Sequence, residues 1–144
     1  MGTETMIVRA LFLASCCYVL QACASGSIGE LRDTAANEHR FTTGENYEIV
    51  YRRVSRMARS CWEGGFMFSP QAQRITDADL FSETGTAEIT IRMSNIANNV
   101  YAHVLIERLD ADLTSVTVWN DLATWNSYGE RVQLWAEGSE DCER

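Results

Sequence analysis

Residues Thr86–Ser94 read TAEITIRMS, and apolar side chains occupy every second position of this stretch. Ala87, Ile89, Ile91 and Met93 would point to one face of an extended strand, while the polar residues between them would point to the other. A period of two, with two β-branched isoleucines among the apolar residues, predicts a β-strand that is buried on one face only.

Three further runs of alternating character flank this strand. We expect strands over Gln73–Phe81, Val100–Leu109 and Ser115–Asn120. The segments NIANN at 95–99 and DADLT at 110–114 have the composition of turns. Short turns between half-buried strands predict an antiparallel meander with one buried face. The residues of the last two strands expected to point to that face are Ala102, Val104, Ile106, Val116 and Val118.

A helix is predicted on each side of the meander. The first follows Thr42-Thr43-Gly44-Glu45, which has capping-box spacing, and its apolar stripe runs over 47–61 until Gly64-Gly65 ends it. The second helix covers Asp121–Glu137. Its broad apolar face comprises Leu122, Trp125, Tyr128, Val132, Trp135 and Ala136. These elements predict one α+β domain over 42–144, a two-layer sandwich of helix, three- or four-stranded antiparallel meander and helix, with both helices on one sheet face.

The front of the chain has the three parts of a secretory signal peptide. Arg9 precedes an apolar run, Ala10–Ala22, and small and polar residues follow from Cys23 onward. The run is 13 residues long, whereas a membrane-spanning helix needs about 20. We therefore expect residues 1–22 to be removed as a signal peptide, with Met6 as an alternative start.

Leu20-Gln21-Ala22-Cys23 resembles the lipobox of bacterial lipoproteins. The resemblance implies a diacylglycerol on the Cys23 thiol, cleavage before Cys23 and acylation of the freed amine. Leu13-Ala14-Ser15-Cys16 is a competing lipobox, and in that case Cys-Tyr-Val-Leu would follow Cys16 at the start of the mature chain. Ala24 after the cysteine is similar to an outer-membrane sorting signal, so the resemblance implies an anchor in the outer membrane with the domain facing the periplasm.

Residues 23–41 are expected to be the acylated cysteine and a flexible tether, because Ala24–Arg40 mixes glycine, serine and charges with few large apolar residues. A flexible tether of this length would hold the domain about 20–25 Å from the lipid. With Cys23 acylated, Cys61 and Cys142 are the remaining pair, and an even pair in an exported protein predicts a disulfide.

Composition and motifs argue against several functions. The formal net charge is −8 and all twelve basic residues are arginine, so general nucleic-acid binding is not expected. No catalytic motif is present, and neither His39 nor His103 has ligand spacing to a cysteine, so no cofactor or metal is expected and the protein is expected not to be an enzyme. The acids Asp77, Asp79, Asp110 and Asp112 are interpreted as solvated residues at strand ends and turns.

Two surfaces are candidate partner-binding sites. The first surface lies on the first helix and comprises Arg52, Arg53, Arg56 and Arg59. The alternative is that these arginines form a solvated face whose charge Glu45 and Glu48 balance. The second surface is the outer face of the sheet and comprises Tyr101, His103, Leu105 and Trp119. The alternative is that the tether or a dimer partner covers this face. His103 is expected to be a hydrogen-bonded surface histidine.

These features predict an envelope lipoprotein, held by membrane lipid through acylated Cys23, that acts as a non-enzymatic interaction module. Its partner would be an envelope protein or a second copy of the chain. The alternative is a periplasmic carrier or sensor that binds a small apolar ligand between sheet and helices. An envelope hydrolase would need clustered buried acids beside His103.

Overall fold

The computed structural model describes residues 26–66, 69–94, 99–121 and 127–142. These residues form three helices and six strands in the order α1, β1, α2, β2, β3, β4, β5, β6, α3. The helices are α1 (Ile28–Thr34), α2 (Tyr47–Trp62) and α3 (Ser127–Ala136). The strands are β1 (Asn37–Thr43), β2 (Gly64–Phe66), β3 (Ser69–Phe81), β4 (Thr86–Ser94), β5 (Val100–Asp110) and β6 (Leu113–Asn120).

The strands form one antiparallel sheet in the order β1-β6-β5-β4-β3-β2. The alternation in β4 is confirmed, because its four apolar residues are buried and the residues between them are half-buried. Ile89 lies opposite Val104, which lies opposite Val118, so the predicted inward residues share one face. The sheet has five long strands and the three-residue β2 rather than three or four, because the chain before α2 and the glycines after it also pair.

Helices α2 and α3 cover the inner face of this sheet. Val50 and Val54 of α2 and Val132 and Trp135 of α3 are fully buried in the same core as the inward strand residues. Trp62 stacks on Tyr128, with ring centroids 4.2 Å apart. The predicted α+β sandwich with both helices on one face is therefore confirmed.

The predicted flexible tether is wrong from Ile28 onward, because this segment forms α1 and β1. The Ser27 hydroxyl caps α1 by accepting a hydrogen bond from the Glu30 N–H. Strand β1 is an edge strand whose register runs from Asn37 opposite Asn120 to Thr43 opposite Thr114. An edge strand with polar side chains lacks the apolar signal from which the strand could have been predicted.

The predicted capping box at the start of α2 is also wrong. Thr42 and Thr43 belong to β1, where they pair with Ser115 and Thr114. Asn46 caps the helix instead, because its Oδ1 accepts a hydrogen bond from the Glu48 N–H at 2.9 Å. The helix ends at Trp62, and Gly64, with a φ of +132°, begins β2.

Other predictions fall partly outside the described residues. Helix α3 is described from Ser127, and residues 122–126, with Leu122 and Trp125, lie outside the description. The same is true of residues 95–98 in the predicted NIANN turn and of the signal peptide with Cys23. None of the described helices is long and apolar enough to cross a membrane.

The predicted Cys61–Cys142 disulfide is present, with the two Cα atoms 5.3 Å apart and a sequence separation of 81. It joins the end of α2 to the segment after α3. Trp135 Nε1 donates to the Asp141 carbonyl at 2.9 Å, which holds the same segment against α3. The disulfide therefore closes a loop that contains all strands from β2 to β6 and helix α3.

Replacing both cysteines (Cys61→Ser, Cys142→Ser) should lower the free energy of unfolding by about 4 kcal/mol, because the unfolded chain regains the entropy that the long cross-link removes. Urea unfolding monitored by tryptophan fluorescence measures the difference. Reductant should destabilise the wild type by a similar amount and leave the double variant unchanged. Equal stability of the two proteins without reductant would contradict a structural role.

Leu31→Ala should lower the free energy of unfolding by about 2–5 kcal/mol, because Leu31 is fully buried and is the only buried residue of α1. Asp33→Ala on the exposed side of the same helix is the matched control and should have little effect. Urea unfolding tests both variants. If they are equally stable, α1 is not part of the cooperative fold.

Candidate functional site

The outer face of the sheet carries a row of polar and aromatic residues. Glu38, Trp119, His103, Thr90 and Asp77 lie opposite one another on five neighbouring strands. Trp119 Nε1 donates to a Glu38 carboxylate oxygen at 3.2 Å. The predicted placement of His103 and Trp119 on one outward face is thus correct.

The remaining two residues of that predicted surface lie beside this row. Leu105 is half-buried and packs against the cluster formed by Leu31, Val100 and Trp119. Tyr101 is the extra residue of a β-bulge, because Ile91 pairs with Ala102 while the next residue of β4 pairs with Val100.

Helix α1 covers the centre of this face. Leu31 is fully buried, and the Arg32 guanidinium lies 4.9 Å from the centroid of the Trp119 ring. Trp119 is only 8% exposed. The segment expected to be a tether therefore covers the aromatic surface, which was one of the two alternatives to an open partner-binding face.

His103 is wholly buried, so its prediction as a surface histidine is wrong. Arg32 Nη2 donates to His103 Nε2 at 2.8 Å, since an arginine has no acceptor atom. Nε2 therefore carries the lone pair, Nδ1 carries the proton, and Nδ1–H donates to Thr90 Oγ1 at 3.1 Å. Burial and, to a lesser extent, the Arg32 charge lower the pKa of His103 to about 4. Glu88, 4.0 Å from Nε2, acts in the opposite direction but is partly exposed and also pairs with Arg32 at 3.5 Å.

An open groove of about 850 Å³ lies next to this buried cluster. The start of α1 (Gly26, Ser27 and Ile28) forms one wall, and strands β3 and β4 form the floor. The short strand β2 pairs with β3 only as far as Arg74. From Ile75 onward, β3 is therefore the edge strand of the sheet. Arg59 of α2, on the other side of the sheet, lines the groove at this edge.

The charges of the groove fall into two groups. Arg92 and Asp77 form a hydrogen-bonded ion pair. Arg59 and Asp79 are exposed, and no ion pair or side-chain hydrogen bond joins either to another residue of the described ranges. The groove therefore offers one cation and one anion that are available to a ligand.

The predicted arginine surface on α2 is largely neutralised. Arg52 pairs with Glu48 at 3.2 Å, and Arg53 pairs with Glu45 at 3.3 Å. Arg56 pairs with Glu140 at 2.6 Å. Glu45 and Glu48 were named as balancing charges from the sequence, whereas Glu140 was not. A binding role for the four arginines stays a prediction, and Arg59 is the member that the fold brings to the groove.

Arg32, Glu88, Thr90 and Asp79 were not identified as site residues from the sequence. Arg32 and its contacts were missed because its segment was interpreted as a tether. One signal was present, since Ser27-Ile28-Gly29-Glu30 has the S-x-x-E spacing of a helix start. Across the parts of the chain that the structure describes, no three His, Cys, Asp or Glu side chains are grouped to hold a metal ion.

No protein-family model and no curated protein matches this chain. One solved structure that it resembles is the crystal structure of the di-domain ARO/CYC StfQ from the steffimycin biosynthetic pathway. The TM-score is 0.40 at 14% sequence identity, and the match covers 73% of this chain and 44% of that chain. The chain thus spans less than half of the length of the similar structure.

This finding contradicts the expectation that the protein is not an enzyme, because an ARO/CYC of a biosynthetic pathway is an enzyme. The expectation is withdrawn. At this TM-score the likeness assigns no reaction, substrate or residue role to the chain.

The buried His103 should make the protein less stable in acid. Above pH 6.5 both folded and unfolded states hold a neutral imidazole, whereas between pH 6.5 and about 4 only the unfolded state takes up the proton. The free energy of unfolding should therefore fall by about 1.4 kcal/mol per pH unit in that window from this residue.

Urea unfolding between pH 7.5 and 4.5 measures this slope. His103→Asn should reduce the slope by about 1.4 kcal/mol per pH unit, which corresponds to one proton. His39→Gln on β1 should retain the slope because His103 is still present. Equal slopes for the wild type and His103→Asn would contradict the buried neutral imidazole.

Proposed function

We propose that this protein is an exported lipoprotein of the bacterial envelope, acylated on Cys23 and anchored in the outer membrane on the periplasmic side. In this proposal the domain is a binding module, and the groove between α1 and strands β3 and β4 is its binding site. The observation that carries the proposal is the Cys61–Cys142 disulfide, with its Cα atoms 5.3 Å apart.

The disulfide supports export because such bonds form and persist in oxidising compartments, including the periplasm. The apolar leader and the lipobox residues before Cys23 indicate the same route. The three acyl chains implied by the resemblance to lipoproteins would make attachment effectively permanent, since two lipid signals already suffice for stable anchoring.

The groove supports a binding role because two oppositely charged side chains in it, Arg59 and Asp79, have no partner among the described residues. The alternative of an apolar ligand between sheet and helices gains no such support. Val54, Ile89 and Trp135 lie between those layers and are fully buried.

The intact mass of the full chain, extracted from membranes of the bacterium that makes it, tests the proposal. We expect the mass of residues 23–144 with a diacylglyceryl group and one further acyl chain. Reduction should add two hydrogens, because the disulfide opens.

Two cysteine variants locate the modification. Cys23→Ser should abolish the lipid mass, whereas Cys16→Ser in the competing lipobox should leave it unchanged. A wild-type mass without lipid, or acylation that depends on Cys16, would refute the proposed anchor.

A further inference from the structure

Few residues of chain separate Cys23 from the groove. Cys23 precedes Gly26 by three residues, and Gly26 lines the groove. Three residues of extended chain span at most about 11 Å. With Cys23 acylated, as the proposed function requires, the Gly26 end of the groove would lie within about 11 Å of the lipid-bearing residue rather than at the end of a long tether.

The start of α1 cannot move away from the sheet without breaking several contacts. Leu31 is fully buried against the outer face, and Arg32 donates to the buried His103. The Gly26 N–H also donates to the Glu30 carboxylate at 2.9 Å. The anchor therefore determines which part of the domain faces the lipid, and that part contains the groove.

The charges of the groove indicate which membrane component it would take. The Arg59 guanidinium can bind a phosphate through paired N–H donors. The Asp79 carboxylate can accept hydrogen bonds from a primary ammonium group. One ligand that satisfies both side chains carries a phosphate and a primary ammonium, as the headgroup of phosphatidylethanolamine does.

Purely anionic or quaternary headgroups fit less well. The net charge of the chain is −8, which disfavours a close approach to a strongly anionic lipid surface. A choline headgroup has no N–H donor for Asp79. We propose that the groove binds the phosphoethanolamine headgroup of lipids in the membrane that holds the Cys23 anchor.

Zero-length carbodiimide coupling tests this directly, because it joins a carboxylate to a primary amine only when the two are in contact. The acylated full chain is reconstituted into phosphatidylcholine vesicles with and without phosphatidylethanolamine, and the tryptic peptide Ile75–Arg92 is sequenced by mass spectrometry. We expect Asp79 to couple to the lipid at least tenfold more than Asp112, an exposed acid on the β5–β6 turn.

Matched variants identify the two binding charges. Arg59→Gln should lower the coupling at Asp79 at least fivefold, because the phosphate loses its guanidinium. Arg40→Gln, on the opposite edge strand β1 and paired with Glu38 at 3.2 Å, should leave the coupling unchanged. Asp79→Asn should abolish the modification at position 79.

Three outcomes would overturn the inference. They are coupling at Asp79 no greater than at Asp112, coupling unaffected by Arg59→Gln, and preferential coupling to free phosphoethanolamine over the lipid, which would identify a soluble ligand instead. The intact mass is measured on the same sample. A mass without lipid refutes the proposed function, whereas an acylated protein without coupling at Asp79 refutes only the headgroup site.

Discussion

The burial of Leu31 and the adjacent Arg32–His103 hydrogen bond determine the organisation of the outer half of the molecule. The inner face of the sheet is covered by α2 and α3, which would leave an aromatic outer face in water. Leu31 fills the space over Val100 and Trp119, and Arg32 donates to the imidazole of a histidine that has no exposed surface. This contact covers the apolar face and forms one wall of the groove.

The same contact has an electrostatic condition. Arg32 can donate to Nε2 only while that nitrogen carries a lone pair, so docking of α1 requires a neutral His103. Burial keeps the imidazole neutral by lowering its pKa to about 4. Because Arg32 can only donate, it fixes the tautomer with the proton on Nδ1, and the Thr90 hydroxyl accepts a hydrogen bond from that N–H. Because His103 is neutral, no second positive charge is buried beside the Arg32 guanidinium.

The inner face was predictable because one requirement, burial of a single sheet face, produces the period of two in β4, β5 and β6. The alternation assigns Ile89, Val104 and Val118 to one face, and the structure places them opposite one another on neighbouring strands. The edge strand β1 and helix α1 have no comparable signal. Helix α1 has two large apolar residues, Ile28 and Leu31, and buries only Leu31, which is too few to give a periodic pattern.

The groove could not be predicted because it depends on contacts between distant parts of the chain. From the sequence, Arg59 was assigned to a patch with the other arginines of α2. In the folded chain those arginines pair with acidic residues, whereas Arg59 lies at the β3 edge and lines the groove. Asp79 was interpreted as an ordinary solvated acid. Sequence spacing places neither side chain near Gly26, which α1 brings to the same site.

Hydrogen exchange at the backbone amide of Leu31, in the acylated full chain, tests the central claim that the presumed tether is a docked helix. This N–H donates to the Ser27 carbonyl at 3.0 Å beneath a buried side chain. We expect exchange at least about a hundredfold slower than in an unstructured chain at neutral pH, since a buried, hydrogen-bonded amide exchanges only when the structure opens. Exchange at the unstructured rate would contradict the docked helix and, with it, the position of the groove at the membrane.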